Sequence, residues 1–163
     1  MSTLTVLVGL PGSGKSTSIP EDFSGFIYST DNFIEDVARR MGTSYNEEFA
    51  RTIKAATAAC NSLLGFAIQK GEDVIIDQTN MSSKKRLGIL SRFPKTYRKV
   101  CVCRVPPRDA LEWTELDQRI LSREGKMIPH HIIESMADSY VEPTLDEGFD
   151  EVHRYDIYGN KLA

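Results

Sequence analysis

Short apolar runs alternate along the chain with longer stretches in which apolar positions recur every three or four residues. The runs at residues 3–8, 25–29, 73–77, 99–104 and 151–157 read as strands. The clearest helical period covers residues 46–70, where Phe49, Ile53, Ala56, Cys60, Leu63 and Ala67 fall on one stripe. Ser44-x-x-Glu47 has the form of a capping box at its start, and Gly71 supplies a stop. Asp109-x-x-Glu112 predicts a second start for a helix through Leu121, and Pro129 opens another to about Tyr140. Strands alternating with helices predict an α/β fold, a mostly parallel sheet of about five strands with helices on both faces. In such sheets ligands gather at the carboxyl ends of the strands, so chemistry is sought there.

The first of those ends carries the sharpest signal. Residues 9–16 read Gly-Leu-Pro-Gly-Ser-Gly-Lys-Ser, a match to G-x-x-x-x-G-K-S/T, with a strand before it and a helix expected from Lys15. Glycines let the backbone curl so that successive N–H groups converge on phosphate oxygens. Gly12, Ser13, Gly14, Lys15, Ser16 and Thr17 are the expected nucleotide-binding residues. Lys15 would neutralise the β- and γ-phosphates of ATP, and the Ser16 hydroxyl would ligate Mg²⁺.

Two acids follow neighbouring strands. Asp31 lies just past the run at 25–29 and could accept the proton of an attacking hydroxyl, although it also precedes a helical stretch at 32–40 and could serve as its N-cap. Val74-Ile75-Ile76-Asp77 is an apolar strand ending in an acid, which places Asp77 as a second magnesium-associated residue. Gln78, Thr79 and Asn80 continue from it, and Asp77 and Thr79 are expected beside the acceptor.

Arg119, Arg123 and Lys126 close the set. They fall in a segment of about 119–129 that reads as a small helical lid, with Gly125 as its point of freedom. A guanidinium closing over a transferring phosphoryl group stabilises the charge spread over its oxygens, so Arg123 joins Lys15 and Asp31 as a candidate catalytic residue. A basic stretch, Lys84, Lys85, Arg86, Arg92, Lys95, Arg98 and Lys99, reads mostly as a solvated helix face; Arg86, nearest the Asp77 edge, is the one expected to touch substrate. His130 and His131 are assigned no chemistry.

Composition narrows the class. With 163 residues, 40% apolar and 26% charged, the chain has the makeup of one soluble domain, residues 1–163. The start lacks a basic region and a cleavage site, and no run is long enough to span a bilayer, so a cytoplasmic protein with no membrane partner is expected. Cys60, Cys101 and Cys103 are odd in number and lack metal-site spacing, so buried thiols without a disulfide partner are expected. A net charge of −3 argues against a protein that coats long nucleic acid by charge alone.

The chain resembles the kinase domain of bacteriophage polynucleotide kinases and, more broadly, the polynucleotide-kinase-like group of P-loop phosphotransferases. The resemblance rests on GLPGSGKST at 9–17, the Asp31 region, IIDQTN at 75–80 with Lys85-Arg86 after it, WTELDQR at 113–119 running on to Arg123, Gly125, Lys126 and Pro129, and EPTLDEGFDEV at 142–152. It implies transfer of the ATP γ-phosphate to a 5′-hydroxyl of DNA or RNA, with Asp31 as base, Lys15 and Ser16 on phosphate and magnesium, and Arg119 and Arg123 on the nucleotide. Ile34 stands where the phage enzymes carry an arginine that reads the acceptor's neighbouring phosphate, and Asp77 is displaced one position from their second acid. No Asp-x-Asp motif occurs through Ala163, so no phosphatase activity is expected.

The first functional expectation is therefore a polynucleotide 5′-hydroxyl kinase using ATP and Mg²⁺. A P-loop kinase for a small metabolite, sugar or nucleoside is the alternative, motivated by Ile34, and a nucleotide-binding regulatory module is the third. A possible homo-oligomer is compatible with each.

Overall fold

The computed structural model describes residues 1–123 and 125–163. Its strands are β1 (Thr3–Val8), β2 (Phe26–Tyr28), β3 (Val74–Asp77), β4 (Arg98–Arg104) and β5 (Glu151–Tyr155). They form one parallel sheet in the order β2-β3-β1-β4-β5. The helices are α1 (Thr30–Met41), α2 (Tyr45–Lys70), α3 (Ser83–Leu90), α4 (Ala110–Leu121) and α5 (His130–Asp138). The five expected strands are present with ends shifted by one or two residues.

Local chemistry sets these boundaries. The Ser44 side chain accepts from the Glu47 amide at 3.2 Å while the Glu47 carboxylate accepts from the Ser44 amide at 3.1 Å, so the capping box is closed. Asp109 caps α4 by accepting from the Glu112 amide at 2.9 Å. At the start of β2 the chain passes so close to β3 that a Cβ on Gly25 would lie 2.1 Å from the Asp73 carbonyl oxygen. Only glycine fits there. β5 stops where the buried Asp156 side chain accepts from the amides of Tyr158 and Asn160, turning the chain back.

One expected element is much shorter than read. After the glycine-rich loop only a 3₁₀ turn, Lys15–Ser18, forms. Ile19 is extended (φ −77°, ψ 121°) because Pro20 excludes the helical conformation from the residue before it. A four-residue turn carries little macrodipole, so anion binding at this loop rests on individual N–H groups and side-chain cations.

Leu4, Val6 and Val8 of β1, Val74 and Ile76 of β3, and Cys101 and Cys103 of β4 form one buried cluster with Leu64, Leu90, Leu116, Ile120 and Ile133 from the helices. Leu7 and Ile75 point to the opposite face and are also buried, so both sides of the central strands are covered. The three cysteines are buried and free, and burial pushes the Cys103 thiol up to about 11. No helix among the described residues is long and apolar enough to cross a membrane. The segment expected as a lid starts in the last turn of α4 and has no regular secondary structure at residues 126–129; Glu124, within it, lies outside the described residues.

Candidate active site

The parallel register brings the strand ends together: Leu7 pairs with Asp77, Val8 with Cys103, and Tyr28 with Ile76. The loop leaving β1 is fastened to the exit of β3 by the Gly9 amide donating to the Thr79 carbonyl (3.0 Å) and by Asn80 Nδ2 donating to the Leu7 carbonyl (2.8 Å). A cleft of about 470 Å³ opens over these ends. Gly12, Gly14, Lys15, Ser16, Thr17, Asp31, Asp77, Thr79, Arg119 and Arg123 all line it. Of the expected site residues, only Ser13 and Arg86 are not on its surface.

Gly12 adopts φ +77°, and a Cβ there would sit 3.2 Å from Ile120 of α4, so backbone shape and packing both demand glycine. Among the described residues no backbone acceptor takes the N–H groups of Gly14, Lys15 or Ser16. Burial lowers the pKa of Lys15, Asp77 and Asp31 partly restore it, and Lys126 and Arg123 lower it further. Three buried side-chain polar atoms lack a partner among the described residues: Ser13 Oγ, Arg104 Nε and Arg123 Nη1. All three belong to the loop or to residues beside it. Unsatisfied polar atoms of this kind are rare in folded proteins; of the three residues only Arg123 lines the cleft, where its free donor suits an anion.

The Ser16 hydroxyl donates to Asp77 Oδ2 at 2.9 Å. Two oxygens on adjacent corners of a Mg²⁺ octahedron at ~2.05 Å are separated by about 2.9 Å, so this pair can share one ion. Among the described residues no cluster of three or more metal-binding side chains exists. Mg²⁺ takes one or two protein oxygens and fills its shell with water and phosphate.

Asp31 is not the N-cap of α1. Ser29 takes that role, its Oγ accepting from the Asn32 amide at 3.1 Å, which leaves the Asp31 carboxylate to face the cleft from the first turn. Tyr45 donates its hydroxyl to Asp31 Oδ1 at 2.7 Å. Lys126 Nζ reaches Asp31 Oδ2 at 3.2 Å and Glu35 Oε1 at 2.8 Å, with its ammonium 4.6 Å from the Tyr45 ring centre. Burial works to raise the Asp31 pKa, but the Tyr45 hydroxyl, Lys126 and Lys15 outweigh it and hold the carboxyl below its usual range. Asp31 is thus an ionised acceptor with lone pairs to spare for an incoming hydroxyl. Gln78 Oε1 accepts from the amide and hydroxyl of Thr30 at 3.0 and 3.2 Å, tying the exit of β3 to the turn that carries Asp31.

Arg119 is held by Glu115 (3.1 Å) and reaches the Gly12 carbonyl at 3.4 Å, so α4 braces the loop directly. Gly125 does not leave the following segment loose. Its carbonyl accepts from the Asn46 amide at 3.1 Å, and the Asn46 side chain exchanges bonds with the Met127 amide and carbonyl at 3.0 and 2.9 Å.

One expected role is corrected. Arg86 is fully buried and touches no substrate groove. Its Nε and Nη2 hold Glu147 at 2.7 and 3.0 Å, while Nη1 and Nη2 donate to the carbonyls of Asn80, Met81 and Val141 at 2.8–3.0 Å. Every donor is spent on the fold. Thr17 lines the cleft as expected, and its amide and hydroxyl both donate to the Gly14 carbonyl (3.1 and 2.6 Å). The short 3₁₀ turn is the reason.

Sequence reasoning missed Tyr45 and Arg104. Arg104, at the end of β4, donates to Thr17 Oγ1 at 3.1 Å and to the Asp156 carbonyl at 3.4 Å, propping the loop from the β5 side. Its position at a strand end was a usable signal; Tyr45, one residue past a helix cap, offered none.

Residues 4–143 match the model of AAA_33, described as an AAA domain. Among solved structures the chain is similar to a candidate kinase from Chloroflexus aurantiacus J-10-fl (20% identity, TM-score 0.62, 95% of this chain and 85% of that one). It is also similar to a component of the PezAT chromosomal toxin–antitoxin system of Streptococcus pneumoniae (18%, TM-score 0.62, 100% and 70%) and to a gluconokinase from Sinorhizobium meliloti 1021 (17%, TM-score 0.53, 95% and 82%). At these identities the structures speak for the fold, a P-loop kinase-like α/β fold. With the family match spanning most of its length, this chain belongs to the AAA_33 family of AAA domains.

Proposed function

We propose that this protein is an ATP- and Mg²⁺-dependent kinase that phosphorylates a hydroxyl group of a small-molecule acceptor held at Asp31. The observation that carries this reading is an ionised carboxylate facing the same cleft as Lys15 and Arg123, relieved of capping duty by Ser29. The acceptor oxygen attacks the γ-phosphorus, the bond to the β-phosphate oxygen breaks, ADP leaves, and the hydroxyl proton passes to Asp31. Lys15, Arg119 and Arg123 bind the phosphates. Arg123, with one buried nitrogen unpartnered among the described residues, stabilises the charge on the group in transit. Tyr45 and Lys126 fix the Asp31 carboxylate in place. Mg²⁺ at Ser16 and Asp77 would supply charge neutralisation on the phosphates.

A second reading is the polynucleotide 5′-hydroxyl kinase that the sequence resemblance implies. Exposed Lys84, Lys85, Arg92 and Lys95 favour it. Against it, Ile34 is buried in the core and Arg86 is spent on the fold, so neither can read an acceptor phosphate. Incubating the protein with labelled ATP and a panel of acceptors separates the readings: gluconate, nucleosides and other small alcohols on one side, a 5′-hydroxyl oligonucleotide on the other. Label appearing on the oligonucleotide alone would reverse the order.

Asp31→Asn is expected to lower turnover by about 10²–10⁴-fold with little change in KM for ATP. Because the folded pKa is depressed, the carboxylate stays ionised through neutral pH, and the acid limb of the kcat/KM profile falls below the ordinary aspartate value of about 3.9. Lys126→Met removes one cause of the depression and should move that limb upward. By the same sign, the stability contributed by Asp31 is present above its unfolded pKa and is lost as pH falls through the folded one. Unchanged turnover in Asp31→Asn would remove the basis of the proposal. Chelating Mg²⁺ should abolish transfer, and Asp77→Asn should raise the Mg²⁺ needed for half-maximal rate about tenfold or more.

A further inference from the structure

A second cleft, of about 360 Å³, adjoins the first and shares Gln78 and Thr79 with it. Its interior is apolar: Leu64 and Ile76 are 2% exposed at its base, and Tyr28 and Ile89 are partly buried in its wall. At its mouth stand two exposed cations, Lys85 and Arg92, neither of which has an acidic partner among the described residues. Asn61 organises that mouth. Its Oδ1 accepts from the Tyr28 hydroxyl at 3.1 Å and from Arg92 Nη1 at 2.9 Å, which fixes the guanidinium beside the opening and leaves the Asn61 amide hydrogens available. Tyr28 ends β2, three residues before Asp31, and Gln78 and Thr79, which line both clefts, join this one to the cleft that Asp31 lines.

We propose that this cleft is the acceptor subsite, and that it selects an acceptor with a flat, largely apolar ring and an anionic substituent. The inference rests on the kinase reading above. The ring fills the apolar interior, the anion meets Lys85 and Arg92, and a hydroxyl on a short arm reaches Asp31. A volume of 360 Å³ lies within the range of small-ligand pockets. A polyol acid such as gluconate would leave Leu64, Ile76 and Ile89 facing polar groups, and is the wrong chemistry for this interior.

Gly88 provides a clean test. It lies in α3 on the wall of the cleft, and a Cβ there meets no atom within 4 Å. Gly88→Leu adds a side chain on the helix face that also carries Lys85 of the cleft lining, while replacing a poor helix residue by a good one, so the fold is spared. The protein, its nucleotide cleft filled with a non-hydrolysable ATP analogue, is titrated with adenosine 3′-monophosphate, 4-(hydroxymethyl)benzoate and gluconate. Turnover with ATP is then measured for each. Analogue affinity serves as the folding control. The two ring-bearing anions are expected to bind and to be phosphorylated with lower KM than gluconate, and Gly88→Leu is expected to weaken both about tenfold or more. Preference for the nucleotide points to a nucleic-acid-derived acceptor, and preference for the benzoate to an aromatic metabolite. Ring probes that bind and are displaced by Gly88→Leu, yet are never phosphorylated, would sink the kinase reading and keep the subsite. Gluconate as the best acceptor, no detectable binding of either ring probe, or ring-probe KM values unmoved by Gly88→Leu would overturn the subsite alone.

Discussion

Lys15→Met should lower turnover by about 10²–10⁴-fold while leaving the melting temperature unchanged or higher. The two halves of this expectation come from one observation. The Lys15 ammonium is drawn into the fold far enough that burial lowers its pKa, with Arg123 and Lys126 adding repulsion. It costs stability in the absence of a polyanion, and methionine of similar length removes that cost. When ATP binds, the same ammonium meets β- and γ-phosphate charge in a site with little competing water, where a cation is worth most. The prediction is read by pairing a thermal melt with steady-state kinetics. In the wild type, the lowered pKa further implies that ATP affinity weakens as pH rises toward, but before reaching, the ordinary lysine range. A large drop in melting temperature for Lys15→Met would show that the residue is a structural ion-pair partner, and would remove it from the phosphate site.

What the sequence made legible was whatever is decided locally. The glycine-rich loop is a contiguous spacing whose backbone consequences follow from glycine itself, and the capping box at Ser44 and Glu47 closes within four residues. Strand alternation with helices was enough to place Asp31 and Asp77 on one edge, because a parallel sheet puts every strand's carboxyl end on the same side. Two errors had different origins. The short turn after Lys15 was readable from Pro20, four residues past Ser16, but the loop motif outweighed that local signal. The Arg86 burial was not readable, since its partner Glu147 lies 61 positions away and a basic run gives no indication of which member turns inward. Lys126 illustrates the same limit from the other side: it was grouped with the lid arginines, whereas its contacts are the acid pair Asp31 and Glu35, brought to it by α1.

Arg86 yields the largest expected effect on stability. Its guanidinium joins four segments: the exit of β3 through Asn80 and Met81, α3 on which it sits, the chain at Val141, and Glu147 in the stretch before β5. Glu147 is itself largely buried at 10% side-chain exposure and also accepts from the Thr144 amide at 3.1 Å, so it cannot swing to solvent without undoing that turn. Arg86→Met would strand a carboxylate and the carbonyls of Asn80 and Val141, at a cost of about 3–5 kcal/mol. For a domain of this size that lowers the melting temperature by on the order of 10 °C. Because every donor is used within the fold, the surviving folded protein should keep its KM for any acceptor. A substrate-contacting arginine would give the reverse, an ordinary melt with a raised KM. Glu147→Met added to Arg86→Met should recover part of the loss, since the stranded charge is then gone, but not all of it. The carbonyls of Asn80 and Val141 remain without a protein donor in the double variant, whereas that of Met81 keeps the Val141 amide at 2.9 Å. Recovery to full wild-type stability would mean that the bonds to these carbonyls contribute little and that the ion pair alone held the segments together.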